Sequence, residues 1–131
     1  MTVQSEPCPR VRVLITDDHP AVRRGLAELI GNAADLDVVG VACCGAEGVE
    51  LTCRLEPDLV LMDLSMPEMD GEAATERILA ARPSTRVVIL TAFADQRKLQ
   101  GALACGAVTS VLKDAPPSEL LDAVRAAAAK V

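Results

Sequence analysis

The sequence predicts an α/β fold: a doubly wound parallel sheet built from five βα units. Three observations lead there. Short apolar runs of strand length alternate with segments of helical period along the chain, the signature of βα units around a parallel sheet. Two of the runs, 59–62 and 87–90, are apolar at every position rather than alternating, as in strands covered on both faces. The chain has 131 residues, half of them apolar and one, Phe93, aromatic. That is the size of one domain, and its core must come from Val, Leu, Ile and Ala, which suits helices layered on a sheet.

The first strand is read at 11–16. The helix after it carries Val22, Leu26, Leu29 and Ile30 on one face, spaced i, i+4, i+7 and i+8, and Gly31-Asn32 ends it as a helix C-terminus. A second strand covers 38–42, and the helix from about Ala46 to Leu55 carries Val49 and Cys53 on one side before Pro57-Asp58 closes the unit. The runs at 59–62 and 87–90 are the central strands. Between them a helix at 71–81 turns Ala74 and Ile78 inward, and Arg82-Pro83-Ser84 makes a turn. The fourth helix runs from about Asp95 to Cys105 and stops at Gly106, a C-terminal cap. The run at 108–112 holds Thr109 and Ser110 and is the most polar, which places it at an edge. Pro116-Pro117-Ser118 opens the last helix, with the stripe Leu120, Leu121, Val124, Ala127 and Ala128.

Composition removes several function classes. A formal net charge of −6 argues against this chain gripping nucleic acid by itself, since phosphate binding needs clustered Lys and Arg. Cations and proteins are the expected direct partners. No apolar stretch approaches the roughly 20 residues of a bilayer span, and residues 1–10 are polar, without the apolar core of a signal peptide; the protein reads as cytoplasmic, with no membrane partner. The five cysteines, Cys8, Cys43, Cys44, Cys53 and Cys105, follow no regular spacing and are read as reduced thiols and packing material. A metal site on Cys43, Cys44 and Cys53 is disfavoured, because no CxxC pair is present and the single histidine is distant from them in sequence.

The chemistry gathers where the runs end. Asp17 and Asp18 follow the first strand, Asp63 the third, Thr91 the fourth and Lys113 the fifth. In an open α/β sheet such positions meet outside the carboxyl ends of the strands, near the topological switch point. Two carboxylates about 4 Å apart repel by roughly 4 kcal/mol at an effective dielectric near 20, so three of them call for a cation. Oxygen ligands select a hard ion such as Mg²⁺, which takes one or two carboxylates plus phosphate oxygens. Phosphoryl transfer to a carboxylate needs a nucleophile and donors for the phosphoryl oxygens, and Lys113 and the Thr91 hydroxyl supply the donors.

Four motifs carry a family resemblance. Ile15-Thr16-Asp17-Asp18-His19-Pro20, the segment Leu61-Met62-Asp63-Leu64-Ser65-Met66-Pro67-Glu68-Met69-Asp70-Gly71, Thr91-Ala92 and Leu112-Lys113-Asp114 together resemble the receiver domain of bacterial two-component response regulators. The resemblance spans about 11–130. Asp-Asp-His-Pro followed by Val22-Arg23-Arg24-Gly25-Leu26 looks most like the NarL/FixJ subfamily, whose members usually continue into a helix-turn-helix DNA-binding domain. It implies a flavodoxin-like (βα)5 sandwich with strand order 2-1-3-4-5, a disordered lead at 1–10, a receiver domain at 11–131, and an output domain in the full-length protein. It further implies Asp63 as phosphoacceptor and Asp17, Asp18, Asp63 and the main-chain carbonyl of Ser65 as Mg²⁺ ligands. Thr91 would be the switch hydroxyl and Lys113 the phosphate-pairing cation. A sensor histidine kinase is the implied donor and a homodimer an implied assembly, with DNA reached only through the output domain. Such a domain is a phosphoacceptor rather than an enzyme, with self-phosphorylation and slow autodephosphorylation at most. Where the family carries a switch aromatic, three positions before the lysine, this chain has Ser110. The resemblance also implies that Ser65 and Phe93 occupy the positions that, in the family, influence how fast the acyl phosphate hydrolyses.

Two other readings stand beside this one. A haloacid-dehalogenase-like phosphatase needs a second aspartate two residues after the nucleophile, where this chain has Ser65. A phosphorylation-independent interaction module is suggested by Ser110. His19 is read as a partly exposed residue at the start of the first helix, and Arg23 and Arg24 as a solvated face.

Overall fold

The structure, a computed structural model, describes residues 10–92 and 96–129. Five strands, β1 (Val11–Thr16), β2 (Leu36–Ala42), β3 (Leu59–Asp63), β4 (Arg86–Thr91) and β5 (Thr109–Leu112), alternate with five helices. These are α1 (Pro20–Gly31), α2 (Gly45–Leu55), α3 (Gly71–Ala81), α4 (Gln96–Ala104) and α5 (Pro117–Ala129). All strand pairs are parallel and the order is β2-β1-β3-β4-β5, as expected. The chain leaves β1 for the β2 side and then crosses to β3, so the switch point lies between β1 and β3.

Side-chain alternation along the strands divides the core in two. Val13, Ile15, Leu59, Leu61, Val88 and Leu90 face one layer and pack with Ile30 of α1 and with Leu120, Val124 and Ala127 of α5. Leu14, Val60, Met62, Val87 and Ile89 face the other and meet Ala74 and Ile78 of α3 and Leu99 and Ala102 of α4. β3 is buried at every position, Asp63 included, because it has a strand on each side and helices on both faces. β5 pairs only with β4, the edge position its polar residues indicated.

Helix boundaries follow local chemistry. Pro20 starts α1, where its missing N–H costs nothing. Gly31-Asn32 ends that helix as expected but without a left-handed turn: Asn32 keeps φ at −85° and its N–H reaches the Glu28 and Ile30 carbonyls. Gly106 has φ of 120° and ends the α4 segment in a conformation that other residues resist. The α4 helix begins at Gln96; the expected start at Asp95, like Phe93, lies outside the described residues, as do 1–9 of the N-terminal lead.

One reading is corrected at α2. Cys53 is exposed, and the buried face is Gly45, Gly48 and Thr52, with Val49 half-buried on the core. A Cβ on Gly48 would come within 2.9 Å of Thr16 Oγ1, so small residues let α2 close on β1. Thr52 joins that face because its hydroxyl is satisfied by the Gly48 carbonyl at 2.7 Å. Cys53, one position on, rotates to solvent. Cys43 is exposed too, so neither thiol is packing material.

Candidate functional site

β1 and β3 end side by side, Thr16 pairing with Met62, so Asp17 and Asp63 emerge at one edge of the switch point. The main chain fixes both. Asp17 N–H donates to the Ala42 carbonyl of β2 at 3.1 Å, and Leu64 N–H to the Leu90 carbonyl of β4 at 2.9 Å. Lys113 N–H bonds the Thr91 carbonyl at 2.9 Å, which sets the lysine at the head of β5. Gly71 N–H bonds the Leu64 carbonyl at 2.8 Å and brings α3 against the end of β3. A Cβ on Gly71 would meet Asp63 O at 2.6 Å and Leu64 Cα at 2.7 Å, both backbone atoms with no room to yield. Within this loop Glu68 holds φ of 69°, sparsely populated for a residue with a Cβ.

The four side chains converge. Lys113 Nζ lies 2.9 Å from Asp63 Oδ1 and 3.6 Å from Asp17 Oδ2. Asp17 and Asp63 are buried and Asp18 is a quarter exposed. Ser65 N–H donates to Asp63 Oδ1 at 3.3 Å. Carboxylate oxygens of Asp17, Asp18 and Asp63, with one nitrogen of His19, all lie within 4.8 Å of one another.

Burial is the main cause that pushes the Asp63 carboxyl up from 3.8 to about 6; Lys113 and the Ser65 N–H pull it back, and the Asp17 charge pushes it further up. Burial opposes the charge of Lys113 as well, but its hydrogen bond to Asp63 and the charges of Asp63 and Asp17 outweigh that and raise it. The pocket is thus short of positive charge. Asp17 Oδ2, Asp18 Oδ1 and Asp63 Oδ2 are buried without a hydrogen-bond partner, an arrangement costly to leave unfilled. Three buried carboxylate oxygens in one small space, with only ion-pair contacts to Lys113 and His19, fit a hard divalent cation.

Thr91 is buried at the end of β4, and its hydroxyl donates to the Ala92 carbonyl at 2.9 Å. It stands at the site and is turned to its own main chain. Ser110 pairs with Ile89 inside β5 and is half-buried. Phe93 lies outside the described residues.

Two residues have a larger part here than their sequence reading allowed. His19 is at the helix start and 60% exposed, as read, yet its Nδ1 lies 3.3 Å from Asp17 Oδ1, 3.0 Å from Asp18 Oδ1 and 4.0 Å from Asp63 Oδ2. Arg23 is no solvated side chain: its Nη1 donates to the Asp17 carbonyl at 2.9 Å and braces the acidic turn. The available signals were adjacency to the acid pair for His19 and a four-residue step along the helix for Arg23.

A five-strand sheet in this order, with its pocket at the β1/β3 switch point, defines the flavodoxin-like doubly wound class. Comparison with known proteins narrows it. The family model for the response regulator receiver domain matches residues 13–125. The transcriptional regulatory protein LiaR of Bacillus subtilis (strain 168) is 42% identical over 117 residues, covering 89% of this chain and 56% of LiaR. The signal receiver domain of the putative response regulator NarL from Mycobacterium tuberculosis superposes with a TM-score of 0.86 at 34% identity, covering 92% of this chain and 97% of that one. The response regulator domain of Thermotoga maritima CheB gives a TM-score of 0.86 at 32% identity, over 93% and 98% of the two chains. The chain belongs to the response regulator receiver domain family, that of two-component systems. It spans about half the length of the curated relatives it matches, some named transcriptional regulatory proteins and others response regulator proteins. Among the described residues no helix is long and apolar enough to cross a membrane.

Proposed function

We propose that Asp63 accepts a phosphoryl group from a phosphohistidine on a sensor kinase and that the acyl phosphate switches an output activity. The observation that carries this is the asymmetry of the Asp63 carboxylate. Oδ1 is held by Lys113 at 2.9 Å, whereas Oδ2 is buried and without a hydrogen-bond partner beside Asp17 and Asp18.

In the reaction a carboxylate oxygen of Asp63 forms a bond to phosphorus, the P–N bond breaks, and the kinase imidazole leaves with the bonding pair and takes up a proton. Lys113, placed between two carboxylates, pairs with a phosphoryl oxygen as charge shifts from Asp63 onto the new group. The Ser65 N–H, 3.3 Å from Oδ1, holds the carboxylate plane. Asp17, Asp18, Asp63 and the Ser65 carbonyl would hold Mg²⁺, which when bound neutralises phosphoryl charge. Once Asp63 carries a phosphoryl group, with close to two negative charges where the carboxylate had one, the Thr91 hydroxyl exchanges the Ala92 carbonyl for a phosphoryl oxygen and draws the end of β4 inward. Lys113 N–H is bonded to the Thr91 carbonyl, so that movement reaches β5. The face of α4, β5 and α5 then alters homodimerisation or contact with a DNA-binding output domain, through which the full-length protein regulates transcription.

Incubation with acetyl phosphate and Mg²⁺, read by intact mass, tests the assignment. One added phosphoryl group on the wild-type chain and none on Asp63→Asn is the expected result. Equal labelling of that variant removes Asp63 from the role. The oxygen-rich pocket and its paired lysine also weigh against the phosphorylation-independent module.

A further inference from the structure

A second constellation lies one loop away from the carboxylate pocket. β2 ends at Ala42, whose carbonyl holds Asp17 N–H, and the next residues are Cys43 and Cys44. Cys43 N–H donates to Glu47 Oε1 at 2.7 Å. Glu47 N–H donates to Cys44 Sγ at 3.5 Å, which makes Cys44 the N-cap of α2. Ligand atoms of Cys43, Cys44 and Glu47 all lie within 4.8 Å of one another. Cys53, the third thiol considered from the sequence, is absent from the group, and a carboxylate stands in its place.

We propose that Cys43, Cys44 and Glu47 form a binding site for a thiophilic divalent cation of the Zn²⁺ class, separate from the hard-ion pocket at Asp63. Two sulfurs and one oxygen are the donor set that prefers zinc to magnesium. With Zn–S bonds of about 2.3 Å, tetrahedral geometry sets neighbouring ligands roughly 3.5 to 4 Å apart, close to the 4.8 Å limit within which these atoms lie. Three protein ligands leave the fourth position to water.

The alternative use of paired thiols is poor here. Adjacent residues hold their Cα atoms about 3.8 Å apart, shorter than the usual disulfide span of about 4.4 to 6.8 Å, so the two cysteines resist bridging each other and stay available. Glu47 is already pinned by the Cys43 N–H, which lowers the cost of ordering it. Each thiol gives up its proton on coordination, leaving two thiolates and a carboxylate around a dication, one net negative charge. Glu47 holds the neighbouring Cys43 thiol above its ordinary value, with Arg23 a smaller opposing charge, so the dication supplies the drive for that proton to leave. Cys43 is exposed, so the site is open to an incoming ion.

The test is titration of the metal-stripped 131-residue chain with Zn²⁺ in reducing buffer containing excess Mg²⁺, followed by calorimetry, with Co²⁺ as a spectroscopic probe. The proposal expects one Zn²⁺ per chain, indifferent to Mg²⁺, and a thiolate-to-cobalt charge-transfer band in the near ultraviolet. Cys43→Ala and Glu47→Gln should each weaken binding at least about tenfold, since even outer-shell changes cost roughly 10- to 100-fold. Cys44→Ser should weaken the cobalt band by about half or more while keeping α2 capped, because serine is a strong N-cap, and circular dichroism verifies the fold of each variant. Cys53→Ala and Cys105→Ala should bind as the wild type does. Binding that survives Cys43→Ala and is displaced by Mg²⁺ would place the ion in the carboxylate pocket and overturn the proposal. So would half an ion per chain, which means ligands shared between two copies, or no binding at all.

Discussion

Lys113 Nζ sits 2.9 Å from Asp63 Oδ1, an ion pair made across β4 between residues fifty positions apart in the chain. Among the described residues Lys113 is the one lysine or arginine within salt-bridge distance of Asp63. It holds a buried carboxylate that two neighbouring carboxylates oppose.

Removal of that cation should push the Asp63 carboxyl higher still. In Lys113→Met, with no divalent ion present, the Asp63 pKa should lie above the value of about 6 of the parent chain, because the hydrogen bond and charge that lower it are gone. Carbon-detected NMR titration of the aspartate carboxyls measures this. An unchanged or lower value would show that Lys113 does not govern the pocket.

The same carboxyl makes stability depend on pH. Its folded pKa is raised from 3.8 to about 6, so the folded state holds the proton more tightly than the unfolded state. The protonated form is therefore favoured by folding: the contribution is present below about pH 4, falls as pH rises toward 6, and is lost above it. A shift of about two units corresponds to a change on the order of 3 kcal/mol. In urea denaturation without Mg²⁺, Asp63→Asn should gain on the wild type by an amount of this order at pH 7.5 and show little difference at pH 4. An equal difference at both values would refute the linkage.

Mg²⁺ should stabilise the wild-type chain through the buried oxygens of Asp17, Asp18 and Asp63 that have no hydrogen-bond partner. Linkage sets the gain at about 2.7 kcal/mol when the free ion is 100 times its Kd. Thermal melts should show it at pH 7.5, with weaker binding below pH 6 as Asp63 takes up a proton. Asp17→Asn and Asp18→Asn should each lose most of the gain; if both melt like the wild type across the Mg²⁺ series, the ion is held elsewhere.

Thr91→Val should separate phosphorylation from its readout. The hydroxyl bonds the Ala92 carbonyl and makes no hydrogen bond to Asp63, so labelling by acetyl phosphate should reach the same extent in the variant. Amide shift changes along β4 and β5 on adding a beryllofluoride phosphate mimic should shrink severalfold. Shifts of full size would take the switch role from Thr91.

Gly71→Ala tests how closely α3 must approach the pocket. The added Cβ would press on Asp63 O and Leu64 Cα at 2.6 and 2.7 Å, and overpacking against backbone costs about 1 to 3 kcal/mol. Mg²⁺ affinity should fall with stability, since the displaced atoms belong to the site. A stable variant with normal Mg²⁺ binding would mean that the loop at 64–70 has more freedom than its hydrogen bonds suggest.

Much of this molecule was open to reading in one dimension. Apolar runs ending in Asp17, Asp63, Thr91 and Lys113 set out the strands and their functional ends, because a strand buried on both faces has no polar residue to spare. The α3 bounds and the edge position of β5 followed from period and polarity alone. Periodicity failed at α2: spacing put Cys53 with Val49, but close helix–sheet contact rewards the smallest residues, and Gly48 and Thr52 took the inward face.

Residue types and strand ends thus came from the chain itself, since hydrophobic patterning and acid placement are local properties. Tertiary structure decided the distances and burial at which those charges meet. Contacts between Lys113 and Asp63 and between His19 and Asp63 depend on strand order, loop direction and rotamer. Those are set by packing between elements far apart in sequence, which no local pattern records.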